Sequence, residues 1–180
     1  MSGTTYTAKE AGALLAAYGL DAREATGRVR RWRMDGILPP AGRDRGGKLA
    51  AFRFERAQVA AAAILFWLHD HAGITRHDHL RGLYDQLTLP RPGGDTAQID
   101  LILGDIERDG TPALLVTRWA NPAGEVATSF TVILSHEFDW PIVAPGDEWE
   151  PIQDGALSLA PLLDSFTAPV VVPFPTAGNA

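Results

Sequence analysis

The sequence predicts an α+β protein in two parts. A winged helix-turn-helix domain occupies residues 1–89, and a small α+β domain with a β-hairpin and a proline-rich tail occupies 95–180, with a linker at 90–94. Three observations lead there. Residues 28–54, RVRRWRMDGILPPAGRDRGGKLAAFRF, set out a cationic helix end, a glycine stop, a Pro-Pro step, a basic Gly-rich loop and an alternating Phe52-Arg53-Phe54 strand. The charge is split: 13 Lys+Arg stand against 9 Asp+Glu up to Pro90, a net of +4, and 3 against 13 beyond it, a net of −10, within a whole-chain −6. Two β-rich runs, 113–119 and 126–134, flank Asn121-Pro122-Ala123-Gly124, which reads as a hairpin with a medium loop.

Each element has a local reason. Thr7-Ala8-Lys9-Glu10 is a capping box, and Ala11, Leu14, Leu15 and Tyr18 then repeat at helical spacing, so a first helix of about three turns follows and stops at Gly19. Asp21 with Glu24 starts a second helix that runs into the arginines. At about 100° per residue its Ala25, Val29 and Trp32 share one face, with Arg23, Arg30 and Arg31 on or near the opposite one, so Trp32 belongs to the core. Gly36 ends this helix, and the Gly-rich loop returning through Phe52-Arg53-Phe54 forms a hairpin wing.

Residues 55–70 form a third helix that is apolar on nearly all sides and so packs on more than one partner. Gly73 breaks it. Thr75-Arg76-His77-Asp78 caps a fourth helix carrying Leu80, Leu83, Tyr84 and Leu87, and Pro90 to Gly94 have linker composition. Asp95 or Thr96 caps a fifth helix through Ile99, Leu103 and Ile106 to Asp109-Gly110, against which the hairpin must pack, being too small to stand alone. Beyond His136 only 157–166 looks helical, and Val170-Val171-Val172 looks like a short strand.

Several function classes fall away. No phosphate loop, nucleophile elbow or His-Glu-x-x-His motif occurs, and Asp100, Asp105, Glu107 and Asp109 read as a solvated helix face, so the chain is expected to be a non-enzyme without cofactor. The absence of cysteine excludes disulfides and thiolate sensors. His69-Asp70-His71 and His77-Asp78-His79 scatter on a helix and read as polar helix ends, so no metal ligand is assigned. The N-terminus lacks signal-peptide features and the apolar run at 59–68 is too short to cross a bilayer, so a cytoplasmic protein without a membrane partner is expected.

Between Arg23 and Arg56 ten basic residues face four acidic ones, the footprint of a surface for double-stranded DNA. Arg30 and Arg31 are assigned to the groove, beside Arg23 and Arg28 on the same helix, and Arg43, Arg45, Lys48 and Arg53 to the phosphates. The acidic half stays off DNA and joins copies or partners: a homodimer is expected through the third helix or the outer edge of the 113–134 hairpin. Trp119, Phe130, Phe138 and Trp140 are read as core, with a ligand pocket as the alternative.

The pattern Val29-Arg30, Trp32, Asp35-Gly36, Ile37-Leu38-Pro39-Pro40, basic loop and Phe52-Arg53-Phe54 resembles the MerR-type winged helix-turn-helix regulators. So do Tyr6-Thr7-Ala8-Lys9-Glu10-Ala11 upstream and Gly73-Ile74-Thr75 downstream. The likeness covers roughly the first half of the chain. It departs in the longer stretch between Gly19 and Arg30, in the extra residues 49–51 and in the lack of a long heptad helix. The resemblance implies a dimeric transcription regulator on palindromic promoter sites, with RNA polymerase as a partner there. Two alternatives stand beside it: an architectural factor of phage or plasmid type, such as an excisionase or packaging factor, and a protein-interaction adaptor.

Overall fold

The structure, a computed structural model, describes residues 4–16, 21–44, 51–90, 93–136 and 144–167, apart from the side chains of 152–154, 164, 165 and 167. Among these it is mixed α+β, with six helices and two three-stranded antiparallel sheets.

The chain enters through strand β1 (Thr5–Thr7) and turns directly into helix α1 (Ala8–Ala16). The turn is locked reciprocally: the Thr7 N–H donates to Glu10 Oε2 (2.7 Å) and the Glu10 N–H to Thr7 Oγ1 (3.3 Å). Helix α2 (Ala22–Met34) starts at Asp21, whose Oδ1 accepts from the N–H groups of Arg23 (2.9 Å) and Glu24 (3.0 Å). The two helices touch where a side chain would not fit, since a Cβ at Gly12 would sit 2.7 Å from the Thr26 backbone nitrogen. Gly36 stops α2 in the left-handed conformation (φ 72°), and the N–H groups of Ile37 and Leu38 fold back onto the Trp32 carbonyl at 2.9 and 3.1 Å.

Strands β2 (Gly42–Arg43) and β3 (Phe52–Glu55) then pair antiparallel, with Gly42 opposite Arg53 and Arg43 opposite Phe52. β1 adds to the other side of β3, a third strand that the sequence does not anticipate, placing Tyr6 opposite Phe54. Tyr18, Gly19, Arg45 and Lys48 lie outside the described residues.

Helix α3 (Arg56–His71) buries nine residues, including the unbroken run 59–66. Helix α4 (His77–Thr88) buries Leu80, Leu83, Tyr84 and Leu87 on one stripe. Its N-cap is Arg76, without a side-chain cap bond, which corrects the expected role of Thr75; the Asp78 carboxylate takes the Arg76 guanidinium instead. The N-cap of helix α5 (Gln98–Ile106) is likewise Ala97, so neither Asp95 nor Thr96 holds that position.

Strands β4 (Ala113–Ala120) and β5 (Val126–Ile133) form the expected hairpin, its loop pinned by Asn121 Oδ1 accepting from the Glu125 N–H (2.9 Å). Strand β6 (Glu150–Ser158) is a second correction. It lies in a stretch read as irregular, yet pairs with β4 along its length and makes the order β5-β4-β6. Leu157 thus belongs to a strand, and the last helix, α6, is Ala160–Thr167. Val170 to Val172 lie outside the described residues.

The halves expected on either side of 90–94 meet closely. The Gln98 N–H donates to the Leu89 carbonyl (3.2 Å), and Pro90 bridges to Ala97. α5 and α6 pack on α3, and one hydrophobic cluster runs from Leu15, Trp32 and Phe54 through Ile64 and Leu83 to Ile102, Leu114 and Leu163. Arg56 crosses the junction to Glu107 (2.7 Å), and Gln86 Nε2 donates to the Phe130 carbonyl (2.8 Å).

Candidate functional site

The arginine-rich helix divides its side chains by direction. Ala25, Val29 and Trp32 are buried, the last against Phe66 with ring centroids 4.6 Å apart. On the opposite face Arg23, Gly27, Arg30, Arg31 and Met34 are exposed, and among the described residues no ion pair engages Arg23, Arg30 or Arg31. Gly27 leaves this face bare: nothing lies within 4 Å of a Cβ built there. A glycine in a helix interior costs roughly 0.5–1 kcal/mol relative to alanine, so the outer face carries a destabilising residue at the place where its backbone is most accessible.

The two flanks of α2 are tied into the protein. On one, Arg28 donates to Glu24 Oε1 (2.9 Å) and Asp70 Oδ1 (2.6 Å) and stacks over the Phe66 ring at 4.8 Å. Burial acts to raise the Asp70 carboxyl, but hydrogen bonds from His69 and Arg28 outweigh it and hold the group below its ordinary range. On the other flank Arg33 and Arg43 lie on the Phe52 ring at 4.0 and 5.2 Å, joining the helix to the β2–β3 hairpin. Arg53 forks onto Asp44 (2.7 and 3.1 Å) and reaches Glu10 (3.5 Å). Its hydrogen bond lowers the Asp44 carboxyl, and Glu10 is lowered chiefly by the Thr7 N–H.

The residues assigned from sequence therefore divide. Arg23, Arg30 and Arg31 stand exposed on α2, Arg43 is exposed on the hairpin but lies on the Phe52 ring, and Arg28 and Arg53 hold elements together. Two cations that the sequence does not single out lie beside them. Lys9, exposed in the first turn of α1, and Arg33 line a groove of about 510 Å³ with Arg30, Met34 and Phe52. Arg33 was legible as the residue one turn beyond Arg30; Lys9 was not, because only the packing of α1 across α2 brings it near.

Elsewhere the acidic set splits. Asp100, Glu107 and Asp109 are exposed, but Asp105 is buried, which corrects its reading as part of a solvated face. It accepts from the Ser135 N–H (2.9 Å) and hydroxyl (2.6 Å), tying the end of α5 to the end of β5. Trp119 is buried, with its Nε1–H on Ser129 Oγ (2.8 Å), and Phe130 packs against the core, while Phe138 and Trp140 lie outside the described residues. Among the described residues no group of three His, Cys, Asp or Glu side chains could hold a metal ion, and no helix is long and apolar enough to cross a membrane. Compared with known proteins, the chain matches no family model, no curated protein and no solved structure.

Proposed function

We propose that this protein is a sequence-specific double-stranded-DNA-binding regulator of transcription, of MerR-like type. In this reading α1, α2 and the β2–β3 hairpin act as a winged helix-turn-helix, with α2 in the major groove. The observation that carries it is the outer face of α2: Arg23, Arg30 and Arg31, which form no ion pair among the described residues, around the bare Gly27. Arginine left without a partner on a helix that fits a groove suits base edges and phosphates, and a glycine there lets the helix backbone come close. Lys9, Arg33 and Arg43 extend the cationic surface towards the flanking phosphates, while Arg28 and Arg53 set the angles of α2 and the hairpin.

Genome-wide mapping of binding sites tests the reading. Enrichment at palindromic promoter sites is the expected result; clustered sites at one attachment or packaging locus would favour an architectural factor, and no enrichment would overturn DNA binding. In vitro, Arg30→Ala and Arg31→Ala should each reduce the slope of log affinity against log salt by about one where the contact is to phosphate. A contact to a base edge instead shows as affinity lost for one sequence only.

The acidic second half is proposed to join two copies into a homodimer. β4 is flanked on both sides, so among the described strands of its sheet the outer edges of β5 and β6 are left for pairing, and Val126 on β5 is 61% exposed. Sedimentation of the full chain should give a dimer that Val126→Lys weakens.

A further inference from the structure

α2 ends on an apolar residue that the fold leaves in solvent. Among the described residues three large apolar side chains stand exposed, Met34 (69%), Leu89 (57%) and Val126 (61%), and of these Met34 lies on α2, as its last residue. Nothing in the helix itself calls for it. The carbonyls at a helix C-terminus favour cations, and Arg31 and Arg33 already occupy that turn. A lysine or arginine at 34 would form helix as well as methionine does and would be better solvated.

Helix geometry sets its direction. Arg23, Gly27, Arg30 and Met34 stand at i, i+4, i+7 and i+11, an arc of about 60° at roughly 100° per residue, so Met34 continues the stripe of exposed arginines and bare glycine. Trp32, which anchors the helix in the core, points the opposite way. Towards the hairpin, Met34 lines the groove that also holds Lys9, Arg30 and Arg33. A thioether is thus set among cations, at the end of a face otherwise made of charge and bare backbone.

An apolar side chain in that position suits one feature of the major groove, the C5-methyl of thymine, which is the apolar group that base edges present there. Methionine is unbranched and polarizable, so it adapts to a small apolar target. A rise of about 1.5 Å per residue carries Met34 roughly 6 Å beyond Arg30 along the helix axis, or about two base-pair steps.

We propose that Met34 is a specificity-determining residue that reads thymine through its C5-methyl, within about two base pairs of the pair that Arg30 meets. This role rests on the reading of α2 as a DNA-binding helix and adds to it the base that is read.

Full-length protein is used to select sites from a random double-stranded library, and each thymine of the enriched duplex is then replaced in turn by deoxyuridine, which removes the methyl and keeps the base pair. Wild type should bind about threefold to tenfold more weakly when one particular thymine loses its methyl. Met34→Leu should keep that ratio. Met34→Gln, of similar length and helix propensity, should bind the two duplexes equally with an unchanged melting temperature. Wild-type binding that no deoxyuridine weakens, or a ratio retained in a folded Met34→Gln, would overturn the role of Met34 and leave DNA binding standing. If the wild type enriches no sequence at all, the sequence-specific reading of α2 falls and this role falls with it.

Discussion

α2 and α3 meet through Trp32 and Phe66, yet they use their side chains in opposite ways. α2 buries three of its thirteen residues along one stripe and turns its arginines outward or sideways, while α3 buries nine of sixteen. The reason is placement. α1 and α4 pack on α3 from the first half of the chain, and α5 and α6 pack on it from the second, so every side of α3 meets protein. α2 lies at the margin with one face held. The comparison teaches that a helix supported along a single stripe keeps a face for a partner, whereas a helix enclosed on all sides unites the parts around it.

The largest expected effect breaks the one stripe that holds α2. Trp32→Ala should cost about 3–5 kcal/mol in denaturant unfolding, because a fully packed indole leaves a cavity between α2 and α3. A loss below about 1 kcal/mol would mean that α2 is not anchored there. Next in size is Gly12→Ala, which forces a Cβ against the Thr26 backbone and should cost about 1–3 kcal/mol through displacement of α1 from α2.

The clasp between α2 and α3 gives a smaller, pH-dependent effect. The Asp70 carboxyl is depressed in the folded state, so its contribution is present above the unfolded value of about 3.9 and disappears as pH falls through the lower folded value. Asp70→Asn should therefore cost about 1–2 kcal/mol at neutral pH and flatten the acid limb of the stability curve. An unchanged acid limb would remove Asp70 from the clasp. The smallest effect has the opposite sign: Gly27→Ala should stabilise the fold by roughly 0.5–1 kcal/mol, because its site is helical and open. If the outer face meets DNA, the same substitution should weaken binding, and a variant both more stable and equally tight would show that this glycine does not approach the groove.

Much of the first half was legible because its signals act within one helical turn. The Thr7–Glu10 exchange, the Asp21 cap, the Gly36 stop and the buried stripe of Ala25, Val29 and Trp32 all arise from groups three or four residues apart. The hairpin of β4 and β5 was legible for a similar reason, its loop being closed by Asn121 and Glu125. A local free-energy preference leaves its mark on a local pattern, so these elements can be read before anything is known of their neighbours.

β6 carries no such mark. Its residues, EPIQDGALS, contain a proline and a glycine and no sustained alternation, and it is a strand because β4 offers an unpaired edge along its length. β1 depends in the same way on β3. The division of the arginines was equally out of reach: Arg28 and Arg30 look alike in the sequence, but Asp70, forty-two positions away, takes one of them and nothing among the described residues pairs with the other. Whether Asp105 faced water or Ser135 also rested on a contact thirty residues distant. In each case the deciding energy is a pairing between segments that only the folded chain brings together, and so helix faces could be read from the residues while strand partners and the roles of individual charges were settled by the tertiary structure.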